Sequence, residues 1–321
     1  MLTLKEYSDF INRSIEKIQY PDEPKGLYQP IAYTLDCGGK RLRPVLLSAV
    51  AEALGTSKES VVNQALGLEM FHNFTLLHDD VMDRADMRRG KPTVHIKWNE
   101  STAILSGDAM LTMASQLIST GCGNHLADVL ALFNSTAMEI YEGQQYDMDF
   151  EQRLDVTVAE YIEMIRLKTS VLLGAACRIG AIMAGADEQT CDAFYNYGIA
   201  MGLAFQLQDD YLDTYGDPKI FGEKIGGDIL NDKKTFLLIT ALNNADDDLW
   251  KQLTALNGVR DEAKIAQVKA IYDKLEVAAD CQSLMQRYVT KATDYINTIN
   301  IDPEAKRFFI DLANGAVNRK S

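Results

Sequence analysis

Between Pro92 and Pro218, and again from Pro218 to Pro303, the chain has no proline; only seven occur in 321 residues. Proline is the strongest helix breaker, so long proline-free tracts rich in Ala, Leu, Met, Glu and Gln favour helices. Alternating apolar and polar residues bounded by Asn-Gly or Asp-Gly are missing, which argues against β-hairpins. Cysteine is sparse: Cys37, Cys122, Cys177, Cys191 and Cys281 are odd in number and include no C-x-x-C pair. That spacing argues against a disulfide framework or a cysteine zinc site and fits reduced thiols in the cytoplasm. Basic charge is short, with 32 Lys and Arg against 46 Asp and Glu and a net charge of -14. Nucleic acid needs a basic footprint, so the balance argues against it as a partner. The most apolar stretch, residues 171–186, is interrupted by Arg178 and falls short of the ~20 apolar residues of a membrane span. The opening "MLTLKEYSDFINRSIEKIQ" is amphipathic and charged throughout, unlike a signal peptide.

What remains is a helical texture. The pattern predicts helices over 2–20, 29–36, 43–54, 58–83, 99–119, 124–149, 157–184, 188–215, 231–244, 261–298 (broken) and 303–317. No polar linker or low-complexity tract divides them. The expectation is one large all-α domain over 1–321, with many long helices packed side by side. Two segments interrupt this texture, "RADMRRGKPTVHIK" at 84–97 and "GDPKIFGEKIGGDILND" at 216–232. Each begins just after a cluster of aspartates.

Those clusters carry the chemistry. "LLHDDVMD" holds Asp79, Asp80 and Asp83, and "QLQDDYLD" repeats the D-D-x-x-D spacing 130 residues later with Asp209, Asp210 and Asp213. Positions i and i+4 share a helix face with i+1 beside them, so each motif makes one acidic patch. Two facing helices would bring six carboxylates together. Like charges ~4 Å apart repel by roughly 4 kcal/mol at an effective dielectric near 20, so cations are required. Mg²⁺, hard and oxygen-seeking, suits carboxylates and phosphates, and Mn²⁺ can substitute. A single D-D-x-x-D in so acidic a chain would read as a solvated helix face. Asp246, Asp247 and Asp248 illustrate that case, a polar turn with aspartates suited to capping. The other two clusters differ because each ends an apolar helix and precedes a basic or glycine-rich loop.

The cations suggest what a metal would hold. "GGKRLRP" sets Lys40, Arg41 and Arg43 after two glycines, a fit receptor for phosphate. "RRGKP" adds Arg88 and Arg89, "RLKTS" adds Lys168 and Thr169, and "GEKIGGDILNDKKT" adds Lys224 and Lys233. Positive charge beside acidic patches in an acidic protein suits polyanionic substrates.

Taken together and in this order, "GGKRLRP", "LLHDDVMDRADMRRGKPTVH", "GQQYDM", "RLKTS", "GLAFQLQDDYLD" and "GGDILNDKKT" resemble the trans-isoprenyl diphosphate synthases, the polyprenyl synthetases, from about Gly38 to Thr235. The resemblance implies a large helical bundle with a deep central cavity between the two aspartate helices, a homodimer that condenses isopentenyl diphosphate with an allylic diphosphate. It also implies that Asp79, Asp83 and Asp209 are direct Mg²⁺ ligands, with Asp80, Asp210 and Asp213 completing or orienting the shell. Arg88, Lys168, Thr169, Gln206 and Lys233 match residues that grip the allylic diphosphate. Lys40, Arg43, His72 and Arg89 match the metal-free site for isopentenyl diphosphate. His95, Gln144 and Asp147 match supporting positions. One departure stands out: "FGEKIGGD" has Glu223 where related bacterial sequences carry lysine, with Lys224 one position later. The 216–232 segment is expected to be a lid.

Chain length should depend on residues one to three turns before Asp79, at ~5.4 Å per turn. Helical spacing puts Thr75 and Leu68 near the Asp79 face, with Phe74 on a flank. In the family an aromatic five positions before the first aspartate limits elongation, and a second at four positions shortens it further. Phe74 with the small Thr75 therefore resembles geranylgeranyl diphosphate synthases, with farnesyl synthases and then longer-chain enzymes as alternatives. A terpene cyclase needs no second diphosphate site, which "GGKRLRP" and "RRG" supply. A non-catalytic partner subunit is expected to lose one or both aspartate motifs, and both are intact.

Overall fold

The computed structural model describes residues 1–217 and 225–318. The described residues are helical apart from turns and one two-stranded ribbon. The helices are α1 (Leu4–Ile15), α2 (Lys25–Asp36), α3 (Leu42–Ala53), α4 (Val62–Met82), the short α5 (Val94–Lys97) and α6 (Glu100–Ser119). They continue with α7 (Leu126–Glu151), α8 (Val158–Ile165), α9 (Val171–Met183), α10 (Glu188–Tyr215), the short α11 (Gly227–Leu230) and α12 (Phe236–Asn244). The last four are α13 (Asp247–Ala255), α14 (Ala263–Lys274), α15 (Val277–Thr298) and α16 (Pro303–Asn318). Strands β1 (Met87–Arg88) and β2 (Lys91–Pro92) pair antiparallel. Among the described residues no helix is long and apolar enough to cross a membrane.

Several predicted boundaries shift for identifiable reasons. Helix α2 begins at Lys25, not 29, because Pro24 takes the N-cap place and Pro30 is tolerated inside. Asp232 takes a φ of 55°, so the helix expected over 231–244 begins only at Phe236, as α12, with the short α11 ending before it at Leu230. Glu276 does the same at φ 55° and breaks the 261–298 stretch into α14 and α15. Asp246 caps a helix as its spacing suggests, its carboxylate accepting from Leu249 N at 2.9 Å. That helix, α13, begins at the helix start that the aspartates mark, although it lies outside the predicted helix ranges.

Contacts fall into two compact units. One comprises Met1–Asn134, Ala175–Tyr195 and Asn300–Phe308. Its centre is α4, buried almost all round from Gln64 to Phe71. A helix buried on every face cannot be amphipathic, which explains the apolar texture of "ALGLEMF", broken only by Glu69. The other unit comprises Ser135–Gly174, Asn196–Ile299 and the chain from Phe309 onward. There Tyr161, Leu207, Phe236, Leu237, Tyr272 and Val277 form a continuous core.

Candidate active site

Helix α4 ends in the first aspartate motif, and Arg84 at φ 52° turns the chain out of the helix. A helix C-terminus already carries partial negative charge, so acids there cost about 0.3–1 kcal/mol each rather than stabilising. Asp79, Asp80 and Asp83 occupy that unfavourable place. Asp80 is 5% exposed, and burial pushes its carboxyl upward against the pull of Arg88. Arg88 answers it directly, Nε donating to Asp80 Oδ1 at 2.7 Å, with Nη2 3.9 Å from Asp79 Oδ2.

The segment expected merely to interrupt the helices is the β1–β2 ribbon. Its turn residues Arg89 and Gly90 have φ of 51° and 72°, both left-handed, as a tight I′ hairpin turn requires. An Arg-Gly turn lies outside the Asn-Gly and Asp-Gly pairs by which hairpins are read in sequence. The ribbon presents Arg88 to the aspartates and Arg89 to the glycine loop, where Arg89 Nη1 donates to Gly38 O. A Cβ on Gly39 would stand 2.8–2.9 Å from the Arg89 guanidinium, so this approach needs glycine.

Beside that loop Arg43 Nη1 lies 3.1 Å from His72 Nε2. Arginine only donates, so Nε2 accepts and a neutral ring carries its proton on Nδ1. Burial, then Arg43, Arg89, Arg88 and Arg41, hold His72 well below the usual histidine range. Thus the residues matched to the isopentenyl site form one cluster of Arg43, His72 and Arg89, with Lys40 exposed on the same loop. Arg41 is not part of its donor set: its side chain is 3% exposed and ion-paired with Glu69 at 2.7 Å. Burial with a partner makes it structural.

In the other unit, α8 runs into a π-helical turn over Arg166–Ser170 before α9 begins. The wide turn carries Lys168 and Thr169, and such turns gather at functional sites. Gly143 of α7 makes room for it, since a Cβ there would lie 2.4 Å from Lys168 N. Lys168 Nζ pairs with Asp147 Oδ2 at 2.6 Å. Burial would raise the Asp147 carboxyl, but Lys168 and Lys233 outweigh it and hold it low. Thr169 Oγ1 donates to Gln206 Oε1 at 3.0 Å, and Gln206 Nε2 donates to Asp210 Oδ1 at 2.9 Å. Tyr161 OH donates to the other oxygen of Asp210. Tyr161 was missed in the sequence: it lies seven residues before Lys168, outside the quoted motif.

Asp209, Asp210 and Asp213 also lie in the last turns of their helix, α10, repeating the C-terminal placement. Asp213 accepts from the amides of Gly227 at 3.2 Å and Asp228 at 3.0 Å, holding α11. Burial and the nearby Asp228 push the Asp210 and Asp213 carboxyls above their usual range, Lys233 pulling the other way. Lys233 Nζ lies 3.6 Å from Asp228. Of the expected lid, residues 218–224 lie outside the described residues, and Lys224 with them. Among the described residues, no three His, Cys, Asp or Glu side chains make a ready-made ion cage. All-oxygen donors with crowded negative charge at helix C-termini nonetheless fit a hard divalent cation that takes its remaining ligands from water or phosphate.

The residues named for chain length sit higher on α4. Leu68 is fully buried and Phe74 is 5% exposed. The Phe74 ring stands between Phe71, with centroids 5.6 Å apart, and His78, 4.8 Å away. Thr75 is half-buried, its hydroxyl donating to His72 O at 2.8 Å.

The all-helical fold and its motifs define a class, the all-α prenyltransferases. Residues 24–275 match the polyprenyl synthetase family, and the chain belongs to that family. It is 42% identical over 241 residues, 74% of each chain, to the geranylgeranyl diphosphate synthase of Methanosarcina mazei. Across 98% of this chain and 96% of the other, it is 33% identical to the geranylfarnesyl diphosphate synthase of Natronomonas pharaonis. A crystal structure of a geranylgeranyl pyrophosphate synthase matches with a TM-score of 0.95 at 43% identity, covering all of both chains. The family joins isopentenyl diphosphate to allylic diphosphates and is generally dependent on divalent metal ions.

Proposed function

We propose that the enzyme extends allylic diphosphates with isopentenyl diphosphate to the twenty-carbon geranylgeranyl diphosphate, using Mg²⁺, with Mn²⁺ able to substitute. The observation that carries this reading is Phe74, held between Phe71 and His78, with the small Thr75 beside it. Asp79, Asp83 and Asp209 are assigned as metal ligands, framed by the anchored Asp80, Asp210 and Asp213. When bound, the cations draw negative charge onto the diphosphate leaving group and ease its departure. Arg88, Lys168, Thr169, Gln206 and Lys233 are the grips for the allylic diphosphate. Lys168 is aimed by Asp147 and Thr169 by Gln206. Preorganised cations of this kind stabilise charge as it develops. Lys40, Arg43, His72 and Arg89 bind isopentenyl diphosphate, whose double bond attacks the allylic carbon as the C–O bond breaks. A proton then leaves the new chain for the departing diphosphate. Reduced cysteines favour a cytoplasmic location, and the family resemblance favours a homodimer acting through a single domain over 1–321.

Chromatography of products from isopentenyl diphosphate with dimethylallyl, geranyl or farnesyl diphosphate tests the reading. Twenty-carbon product from every starter is expected. A main product of fifteen carbons, or of more than twenty, contradicts the chain-length part. Diphosphate release from an allylic substrate alone, with a hydrocarbon product, points to a cyclase instead.

A further inference from the structure

We propose that Arg41, paired with Glu69, is the positioning residue of the loop that grips isopentenyl diphosphate, setting affinity for that substrate without touching it. The inference rests on the reading that Lys40, Arg43, His72 and Arg89 hold that diphosphate.

Arg41 lies in the middle of the phosphate motif, directly after Lys40, yet its guanidinium points into protein. Nε donates to Asn12 Oδ1 at 3.1 Å, Nη1 to Glu69 Oε1 at 2.7 Å and Nη2 to Leu35 O at 2.6 Å. Those acceptors belong to α1, α4 and α2, so one planar fork ties three helices to one loop. Asn73 Nδ2 donates to the same Glu69 oxygen at 3.0 Å and to Glu69 O at 2.8 Å, fixing the carboxylate from one turn further along α4. A lysine has a single terminal nitrogen and cannot reproduce this fork.

The loop needs such a clamp. Gly38, Gly39 and Arg41 have φ of 79°, 130° and 50°, a run that local backbone preference does not hold by itself. What the clamp fixes is the receptor. Gly38 O receives Arg89, and α3, starting at Leu42, carries Arg43 to His72. Glu69 and His72 are three residues apart on α4, neighbours on its surface. A shift of the pair therefore displaces the loop, Arg43 and Arg89 relative to His72. Of the residues that grip the allylic partner, Arg88 is held by Asp80, Lys168 by Asp147, Thr169 by Gln206 and Lys233 by Asp228.

Steady-state kinetics and thermal melts on the full chain test this. Arg41→Met and Glu69→Met should each raise KM for isopentenyl diphosphate roughly tenfold, as a small misplacement of binding groups does. KM for the allylic substrate, and kcat at saturating isopentenyl diphosphate, should stay within about twofold. A merely structural pair would lower the melting temperature without this split. A lone buried charge can prevent folding, so the double variant Arg41→Met with Glu69→Met, which leaves none, is made as well. The raised KM should persist there, because Leu35 O and Asn12 are still unheld. Arg41→Lys should give an intermediate KM and serves as the deciding variant if the double fails to fold. Arg43→Ala is the control for the site itself. If it leaves KM for isopentenyl diphosphate unchanged, the site reading fails. If it raises that KM while a folded double or lysine variant keeps the wild-type value, the site stands and the positioning role is overturned.

Discussion

Among single residues, Asp80 is held by Arg88, Asp210 by Tyr161 and Gln206, and Asp213 by the amides that start α11. Frame and ligand roles should therefore separate on mutation. Asp79→Ala or Asp209→Ala should lower kcat about a thousandfold or more, with a melting temperature equal to wild type or slightly higher, since each relieves a helix C-terminus. Asp213→Ala should lower stability by about 1 kcal/mol as a lost cap does. Near-normal turnover in Asp79→Ala would remove the metal-site reading. His72 gives a pH prediction. Its folded-state pKa lies well below the ordinary value of 6.5, so on acidification the unfolded chain takes up the proton first. This contribution is intact above about pH 6.5 and declines as pH falls below it, by up to ~1.4 kcal/mol per unit. His72→Gln keeps an acceptor for Arg43 and removes that slope. Denaturant titrations between about pH 5 and 6.5 check it; parallel slopes in the two proteins would refute it.

For the elements, the wide turn over Arg166–Ser170 matters most. It interrupts what reads in sequence as one helix from 157 to 184, and it carries Lys168 and Thr169 between two regular helices. Its fit depends on Gly143, where any Cβ meets backbone at 2.4 Å rather than a yielding side-chain tip. Gly143→Ala should destabilise the protein by about 1–3 kcal/mol, the usual range for overpacking. It should also lower kcat, because Lys168 is displaced with its backbone. Thermal melts and single-turnover rates check both, and a variant with wild-type melting temperature and rate would show that the turn has slack.

Across the molecule, much was legible because the strongest signals are compositional or periodic. Proline-free tracts mark the helices, and paired D-D-x-x-D motifs with basic loops mark the chemistry. What was not legible depends on distant partners. Arg41 looks like a phosphate donor until Glu69, 28 residues away, claims it. Tyr161 has no motif and acquires a role through Asp210, 49 residues on. Breaks at Asp232 and Glu276 need left-handed backbone at non-glycine residues, which local propensity disfavours. Product length is also a property of the assembled molecule. Thr75→Phe adds an aromatic ring next to the Phe71–Phe74–His78 row and should shift the main product from twenty to fifteen carbons. Unchanged product length on chromatography would show that chain growth is limited elsewhere.

Ending two long helices in acid makes the empty protein frustrated by construction. Each C-terminal dipole faces like charge, and buried carboxyls stand close enough to resist ionising together. Arg88, Lys233 and the α11 amides relieve these ends in part, and cargo would relieve them further, so folding and catalysis draw on the same interactions. By mass action a ligand at a hundred times its dissociation constant adds about 2.7 kcal/mol to stability. The melting temperature should therefore climb with Mg²⁺ plus inorganic diphosphate and fall in chelator. In a cell, the lifetime of this enzyme would then follow the supply of the substrates it consumes.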